Sequence, residues 1–348
     1  MNNDWQSDFA GDASLFPHLA DLQKDQVLLS TMSEAAFRQA SFLDQRLFTP
    51  DLQRQVVSWA DVASVPLSPL AKPQYIFHIG HVGSTLISRL LGELDSVLAL
   101  REPAILRQLA DVRVTMPAEI GWTDEEQTER LDQMESWLSR TFRSEQRVMI
   151  KASSFVSPLA HDLLTGSGTA LFLFASRERY LQTILAGDAS KQEAAALAEL
   201  RLKRLEQHLG QPVGTVEQLT LAQTSALGWL CEMVTLCDAE IHCPGAKIAW
   251  LDFDNFLDHP EDELQAAARH FGHELSPPNA QTLVSGPIMK QYSKAPEFDY
   301  SASLRAELLA EAAQIHADDI RQTLLWVDEM ARRFPEVAAA KAKAESRR

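Results

Sequence analysis

From residue 75 onward, short apolar runs alternate with longer stretches that have the spacing of amphipathic helices. The runs are rich in β-branched and aromatic residues and too short to be helices, so each predicts a buried strand. They lie at residues 75–79, 97–100, 147–151, 170–175 and 247–253. Strands that alternate with helices form a mostly parallel sheet covered by helices on both faces. The pattern therefore predicts an α/β fold.

The pattern divides the chain into three parts. Residues 1–72 show no strand signal and predict a helical N-terminal extension. Residues 73–333 form the α/β domain, and residues 334–348 are expected to be a polar C-terminal tail. The second and third parts meet after a helical stretch at 303–333.

Charge restricts the partners of the protein. There are 48 acidic and 32 basic residues, which gives a net charge of −16 with histidine neutral. Nucleic acids and anionic membrane surfaces would be repelled, although a local basic pocket could still hold a small anion. We expect neither nucleic acid nor a membrane as a partner.

Cysteine content and the N-terminus indicate the compartment. Three cysteines are too few and too clustered for a disulfide framework, and their spacing is not that of a zinc site. No signal peptide and no run of 18 apolar residues is present, so a cytoplasmic protein is expected.

The first strand leads directly into a glycine turn and a helix. The segment reads YIFHIGHVGSTLI from Tyr75 to Ile87. Backbone N–H groups and the helix dipole make such a turn suitable for phosphate or sulfate, and Ser84 and Thr85 add hydroxyl groups. The alternative is an ordinary turn whose serine caps the helix.

The turn differs from an ATP-binding loop. The spacing GxxxxGK[ST] and its lysine are absent, which argues against a conventional ATPase or kinase. One feature favours ATP: the strand ending at Asp252 has the form of an element that holds Mg²⁺. A magnesium-dependent phosphotransferase therefore remains an alternative.

The same turn resembles the phosphosulfate-binding loop of sulfotransferases that use 3′-phosphoadenosine 5′-phosphosulfate (PAPS). The family motif is (K/R)SG(S/T)T, and Gly83-Ser84-Thr85 match its second half. His81 and Val82 stand where the family has a basic residue and serine. The resemblance implies that Gly80, His81, Val82, Gly83, Ser84 and Thr85 bind the donor, with His81 also a candidate acid–base group.

Further segments resemble the family in the expected order over about residues 73–300. Glu102 occupies the position of the glutamate that protein-tyrosine sulfotransferases use as general base. Lys151 matches a lysine at the end of the next strand. Arg177 and Thr183 match the family's contacts to the 3′-phosphate, with Arg179 as a rival to Arg177.

Two late segments also resemble the family. Phe253 to Phe256 with Pro260 are similar to an element that ends the last strand. Lys290, Tyr292 and Lys294 are similar to a basic segment that closes over the nucleotide in bacterial members.

Together these segments imply a sulfotransferase that moves a sulfuryl group from PAPS to a hydroxyl or amine, leaves 3′-phosphoadenosine 5′-phosphate (PAP) and needs no metal. Charge builds on the leaving phosphate, and backbone amides, hydroxyls and Lys151 can stabilise it. The acceptor is expected to be a small molecule or a peptide, and a homo-oligomer is possible. A non-catalytic nucleotide-binding or scaffold protein is a third alternative, which His81 in place of a basic residue favours.

Each assignment also has a structural alternative. Glu102 could complement a helix dipole and pair with Arg101. Lys151 could be an exposed strand end, and the arginines at 177 and 179 a surface cluster.

Overall fold

The computed structural model describes residues 5–68, 70–115, 117–291 and 301–346. Eight strands lie in these ranges: β1 (Leu15–Asp21), β2 (Gln26–Thr31), β3 (Arg54–Ser58), β4 (Gln74–His78), β5 (Val97–Arg101), β6 (Arg147–Lys151), β7 (Thr169–Phe174) and β8 (Lys247–Asp252).

Helices surround these strands. The first nine are α1 (Trp5–Gly11), α2 (Glu34–Gln39), α3 (Trp59–Ala63), α4 (Ser84–Leu91), α5 (Ala104–Val114), α6 (Pro117–Ile120), α7 (Asp124–Leu138), α8 (Ala160–Leu164) and α9 (Arg177–Ala186). They are followed by α10 (Asp188–Ala196), α11 (Ala198–Leu209), α12 (Leu221–His242), α13 (Phe253–Asp258), α14 (Pro260–His270), α15 (Pro277–Ser285), α16 (Ala302–Ile315), α17 (Ala317–Arg333) and α18 (Pro335–Glu345). Short 3₁₀ turns lie at Gln45–Leu47, Ser154–Leu159, Val216–Gln218 and Pro287–Lys290.

The main sheet has five parallel strands in the order β5-β6-β4-β7-β8. Each coincides with one of the five predicted apolar runs, so the predicted α/β fold is confirmed. Helices cover the sheet, and most strand residues are therefore buried on both faces; β4 and β5 are buried along their whole length. Because the strands are parallel, their carboxyl ends meet at one edge.

The predicted helical character of residues 1–72 is wrong. Strands β1, β2 and β3 form an antiparallel sheet there, with short helices between and beside them. Pro17 and the register shift between Pro17 and Leu19 interrupt the alternation that would have marked β1 as a strand. The amide of Gln108 on α5 bonds both the N–H and the carbonyl of Ala20 at 2.8 and 2.6 Å, which ties this sheet to the main domain.

The predicted polar tail is also wrong. Residues 335–345 form α18, which packs against α12 and α17. Val337, Ala340 and Ala344 are buried and lie along one side of the helix. The alanines give this segment an apolar stripe despite its charged residues.

Within the described ranges, no helix combines the length and apolar character required to cross a membrane.

Candidate functional site

A cavity of about 830 Å³ opens at the carboxyl edge of the main sheet. Its walls come from the turn after β4, from the residues that follow β5 and β6, and from α9, α10 and α16. Many of the predicted site residues lie on this cavity. They are Gly80, His81, Val82, Gly83, Ser84, Thr85, Glu102 and Thr183.

The turn after β4 has an unusual backbone conformation. Gly80, His81 and Gly83 have φ angles of +86°, +56° and +62°. His78 fixes the start of the turn, because its Nδ1 accepts a hydrogen bond from the Gly80 N–H at 3.0 Å. Its Nε2 then donates to the carbonyl of Ala152 at 2.9 Å, so the ring is held between two segments. Sequence reasoning missed this role of His78.

Gly83 is required by the close approach of an aromatic ring. A Cβ atom at Gly83 would lie 2.0 Å from the ring of Phe253, which opens α13. The φ of Gly83 also lies in the left-handed region, which side chains other than glycine rarely adopt. Both the backbone conformation and the packing against Phe253 therefore require glycine at position 83.

The first turn of α4 carries no side-chain cap. Gly83 is the N-cap residue, so the alternative in which Ser84 caps the helix is not what the structure shows. The N–H groups of the first turn consequently have no capping side chain, and Gly83, Ser84 and Thr85 line the cavity at the end of the helix that carries the partial positive charge of the dipole.

Two buried hydroxyl groups on the cavity have no hydrogen-bond partner among the described residues. They belong to Thr85, which is 3% exposed, and Ser153, which is 9% exposed. A buried hydroxyl without a partner costs free energy unless a ligand supplies one. We call Gly80 to Thr85 together with Ser153 the cradle. Its composition of backbone amides, hydroxyls and a histidine fits an oxyanion.

Lys151 and Glu102 meet where β5 and β6 end. Arg101 and Lys151 are partners in the parallel register, and the N–H of Glu102 donates to the carbonyl of Lys151 at 2.7 Å. The Lys151 ammonium donates to the Glu102 carboxylate. Lys151 is completely buried, so the alternative of an exposed strand end does not apply.

The sequence left open that Arg101 pairs with Glu102, but the structure gives Arg101 other partners. Its guanidinium donates to the carbonyls of Phe37, Arg38 and Ala40 at 2.6 to 2.7 Å, around the end of α2. Burial lowers the pKa of Arg101 to about 10. A buried cation at a helix carboxyl end is favoured by the helix dipole, and here it anchors β5 directly before Glu102.

Two arginine–phenylalanine stacks form another wall of the cavity. Arg46 lies over Phe42 and Arg107 lies over Phe155, each 3.6 Å from the ring centroid. Arg46 is also close enough to Glu102 for their charges to interact. Sequence reasoning missed all four residues, because they come from segments without a motif.

His81 lies on the cavity opposite a carboxylate. Its Nε2 is 3.9 Å from an oxygen of Glu193, and its side chain is largely buried. The cavity therefore contains a histidine where the resembled family has a basic side chain.

The predicted 3′-phosphate contacts are not all brought together. Thr183 lies on the cavity and donates to the carbonyl of Arg179 at 2.8 Å. Arg177 instead pairs with Asp328 at 2.6 Å and Glu345 at 3.0 Å, away from the cavity. The structure therefore does not bring Arg177 into the cavity with Thr183, because carboxylates of α17 and α18 bind its guanidinium. Its predicted contact with the 3′-phosphate stays a prediction. Arg179 pairs with Asp254 at 3.3 Å and lines a smaller neighbouring hollow.

The late basic segment is described only in part. Lys290 is exposed at the end of the turn Pro287–Lys290. Tyr292 and Lys294 lie outside the described residues.

Asp252 has a structural explanation. Its carboxylate accepts a hydrogen bond from the N–H of Asp254 at 2.9 Å and so caps α13. Within the described part of the chain, no three His, Cys, Asp or Glu side chains group as metal ligands.

No protein-family model matches the chain, and no curated protein matches it either. Solved structures do match. One is the sulfotransferase domain from the curacin biosynthetic pathway, with a TM-score of 0.41 and 10% identity over 72% of this chain and 99% of that one. Another is a sulfotransferase from Alicyclobacillus acidocaldarius, with a TM-score of 0.36 and 13% identity over 79% of this chain and 97% of that one. Identities this low leave the activity to be argued from the chain's own residues.

Proposed function

We propose that this protein is a sulfotransferase that uses PAPS, with the cradle holding the 5′-phosphosulfate and Glu102 acting as general base. The observation that carries the proposal is the pair of buried hydroxyls of Thr85 and Ser153, which have no hydrogen-bond partner among the described residues and line the same cavity as Glu102. An oxyanion would supply the missing hydrogen bonds.

PAPS supplies a sulfuryl group on a phosphate leaving group. In the balanced transfer, the acceptor oxygen or nitrogen bonds to sulfur, the bond from sulfur to the phosphate oxygen breaks, the acceptor's proton passes to Glu102, and PAP leaves. A positioned general base contributes about 10²–10⁴-fold.

Each residue of the site has its own role in this transfer. The N–H groups at the start of α4, with the hydroxyls of Ser84, Thr85 and Ser153, donate to phosphosulfate oxygens. Lys151 holds the Glu102 carboxylate in one orientation and brings positive charge next to it. His81 takes the place of the family's basic residue in the cradle, while Thr183 reaches the nucleotide from α9.

The cavity also has lining residues outside the cradle. The stacked pairs Arg46–Phe42 and Arg107–Phe155 lie on the same cavity as Glu102. We assign them to the wall that contacts the acceptor, which is a small molecule or a peptide side chain with a hydroxyl or amine.

The experiment that tests the proposal is binding of PAP, measured by calorimetry without divalent metal. PAP is expected to bind and to raise the melting temperature, because a ligand that binds only the folded state stabilises it. ATP with and without Mg²⁺ is the comparison. Stabilisation by ATP only with Mg²⁺, and none by PAP, would instead support a phosphotransferase. If neither nucleotide binds, the protein is not a nucleotide-dependent transferase of either kind.

A further inference from the structure

The turn that carries Ser153 is held from behind by a buried polar network. The 3₁₀ turn Ser154–Leu159 follows β6, and Ser153, Ser154 and Phe155 line the cavity. Ser157 lies on the other side of the turn and is 1% exposed. The turn therefore joins the cavity to the interior of the helical layer.

The network consists of Ser157, Arg204 on α11 and Glu232 on α12. Arg204 donates to both carboxylate oxygens of Glu232, at 2.8 and 3.3 Å, and to the Ser157 hydroxyl at 2.9 Å. The Ser157 hydroxyl in turn donates to Glu232. All three side chains are buried, with Arg204 at 5% and Glu232 at 2% exposure.

Electrostatics keep this geometry fixed. Burial opposes the charged form of Arg204, but the Glu232 carboxylate more than compensates, so the pKa of Arg204 is raised above its usual range. Separating a buried pair would leave two charges without solvation, which is strongly unfavourable. The pair thus presents Ser157 with a donor and an acceptor in constant positions.

Ser157 transmits this order to the turn. Ser157 belongs to the turn itself, so a fixed Ser157 side chain also fixes the backbone of the turn. Its single hydroxyl proton is donated to Glu232, and the Ser154 carbonyl lies 3.0 Å from the hydroxyl oxygen. The N–H of Val156 donates to the carbonyl of Ser153 at 3.0 Å. Because Ser153 itself has no side-chain partner among the described residues, the orientation of its hydroxyl depends on the backbone of this turn.

We propose that Arg204 and Glu232, acting through Ser157, are positioning residues that aim the Ser153 hydroxyl at the sulfuryl donor; this rests on the proposed function. None of the three touches the cavity. They act by restricting the turn, so the free protein is already arranged for the anion and less ordering is needed when it binds.

The test compares the removal of two hydroxyl groups that both accept a hydrogen bond from Arg204. Ser157→Ala removes the link to the turn while Arg204 and Glu232 keep each other. Thr235→Val removes another buried hydroxyl near Arg204, 3.4 Å from its nitrogen but on α12 rather than on the turn. We expect Ser157→Ala to weaken PAP binding about tenfold and Thr235→Val to leave PAP affinity nearly unchanged.

A second readout does not depend on nucleotide binding. Amide hydrogen exchange in residues 153–156 is expected to accelerate in Ser157→Ala and to remain at the wild-type rate in Thr235→Val. Equal exchange in the two variants, or equal PAP affinity, would overturn the positioning role. If the wild-type protein binds no PAP, the proposed function fails, while the exchange comparison still decides whether the network orders the turn.

Discussion

The ammonium group of Lys151 donates a hydrogen bond to the carboxylate of Glu102, across the ends of two neighbouring parallel strands. Lys151 lies wholly in the interior, whereas the Glu102 side chain is 22% exposed and reaches the cavity. Glu102 also has a φ of +49°, in the left-handed region that residues with a side chain seldom adopt. Its carboxylate is therefore directed by both the backbone and a buried cation.

Replacement of Glu102 tests the general base. Glu102→Gln keeps the shape of the side chain but removes its capacity to take a proton. We expect sulfuryl transfer to fall by about 10²–10⁴-fold, with PAP affinity nearly unchanged. Glu125→Gln, at an exposed glutamate of α7, provides the matched control. Full turnover in Glu102→Gln would remove Glu102 from the mechanism.

Two hydroxyls on α4 that have no hydrogen-bond partner in the described part of the chain allow a matched test of the cradle. Thr85 lies on the cavity, whereas Ser88 is also buried but does not line it. Thr85→Val and Ser88→Ala should both leave the free energy of unfolding unchanged or slightly increased, since neither hydroxyl has a described partner to lose.

PAP affinity should separate these two variants. We expect Thr85→Val to bind PAP about tenfold more weakly and Ser88→Ala to bind it as the wild type does. Calorimetric titration measures both. Unchanged binding by Thr85→Val would show that its hydroxyl does not contact the anion.

Gly83 and Gly210 have similar backbone angles but different surroundings. Their φ angles are +62° and +66°, yet a Cβ at Gly83 would collide with Phe253, while nothing lies within 4 Å of one at Gly210. Gly210→Ala should cost about 1 kcal/mol from its left-handed backbone. Gly83→Ala should cost about 1–3 kcal/mol more, because the ring must move.

Urea unfolding of both glycine variants measures the difference. The double variant Gly83→Ala/Phe253→Ala should lose less stability than the two single changes added together, since the ring that clashes is gone. Equal stability of Gly83→Ala and Gly210→Ala would contradict the packing argument.

His273 makes stability depend on pH. Burial lowers its pKa from 6.5, and the nearby Arg147 adds to the effect. The unfolded chain therefore binds more protons than the folded one when pH falls below about 6.5, and stability decreases towards acid. His273 bonds Ser96 at 2.8 Å and Gln74 at 2.9 Å, which uses both ring nitrogens.

The measurement is the slope of unfolding free energy against pH between 7 and 5. His273→Gln should reduce that slope, even if its stability at pH 8 is lower. His259→Gln controls for the loss of an exposed histidine. An unaltered slope in His273→Gln would mean that other groups cause the acid sensitivity.

The main sheet was predictable because its strands are buried on both faces. Runs such as residues 170–175 contain almost only apolar side chains, a signal that needs no knowledge of neighbours. The N-terminal sheet was not predictable, because β3 is half-exposed and β1 contains Pro17 and a register shift directly after it. Their pairing, not their local pattern, makes them strands.

The candidate site divides in the same way. Glu102 and Lys151 follow or end adjacent parallel strands, so sequence order alone predicts that they lie at one edge. Ser153 had a signal too, since it comes two residues after Lys151. Its role, however, depends on the lack of a hydrogen-bond partner for its hydroxyl among the described residues, which only the folded structure shows. Arg46 and Arg107 had no such signal in the sequence, because they lie in segments without a motif.

The amino-acid sequence by itself determined the strand, glycine turn and helix around Gly83 and the charged residues that follow the strands, because these depend on spacing of a few residues. Tertiary structure decided which charges are engaged. Arg177 forms an ion pair with Asp328, which is 151 residues away in the sequence, and Arg204 forms one with Glu232. The sequence contains several carboxylates that could pair with each of these arginines. The distances between charges in the folded chain decide which pair forms, because the attraction depends on distance.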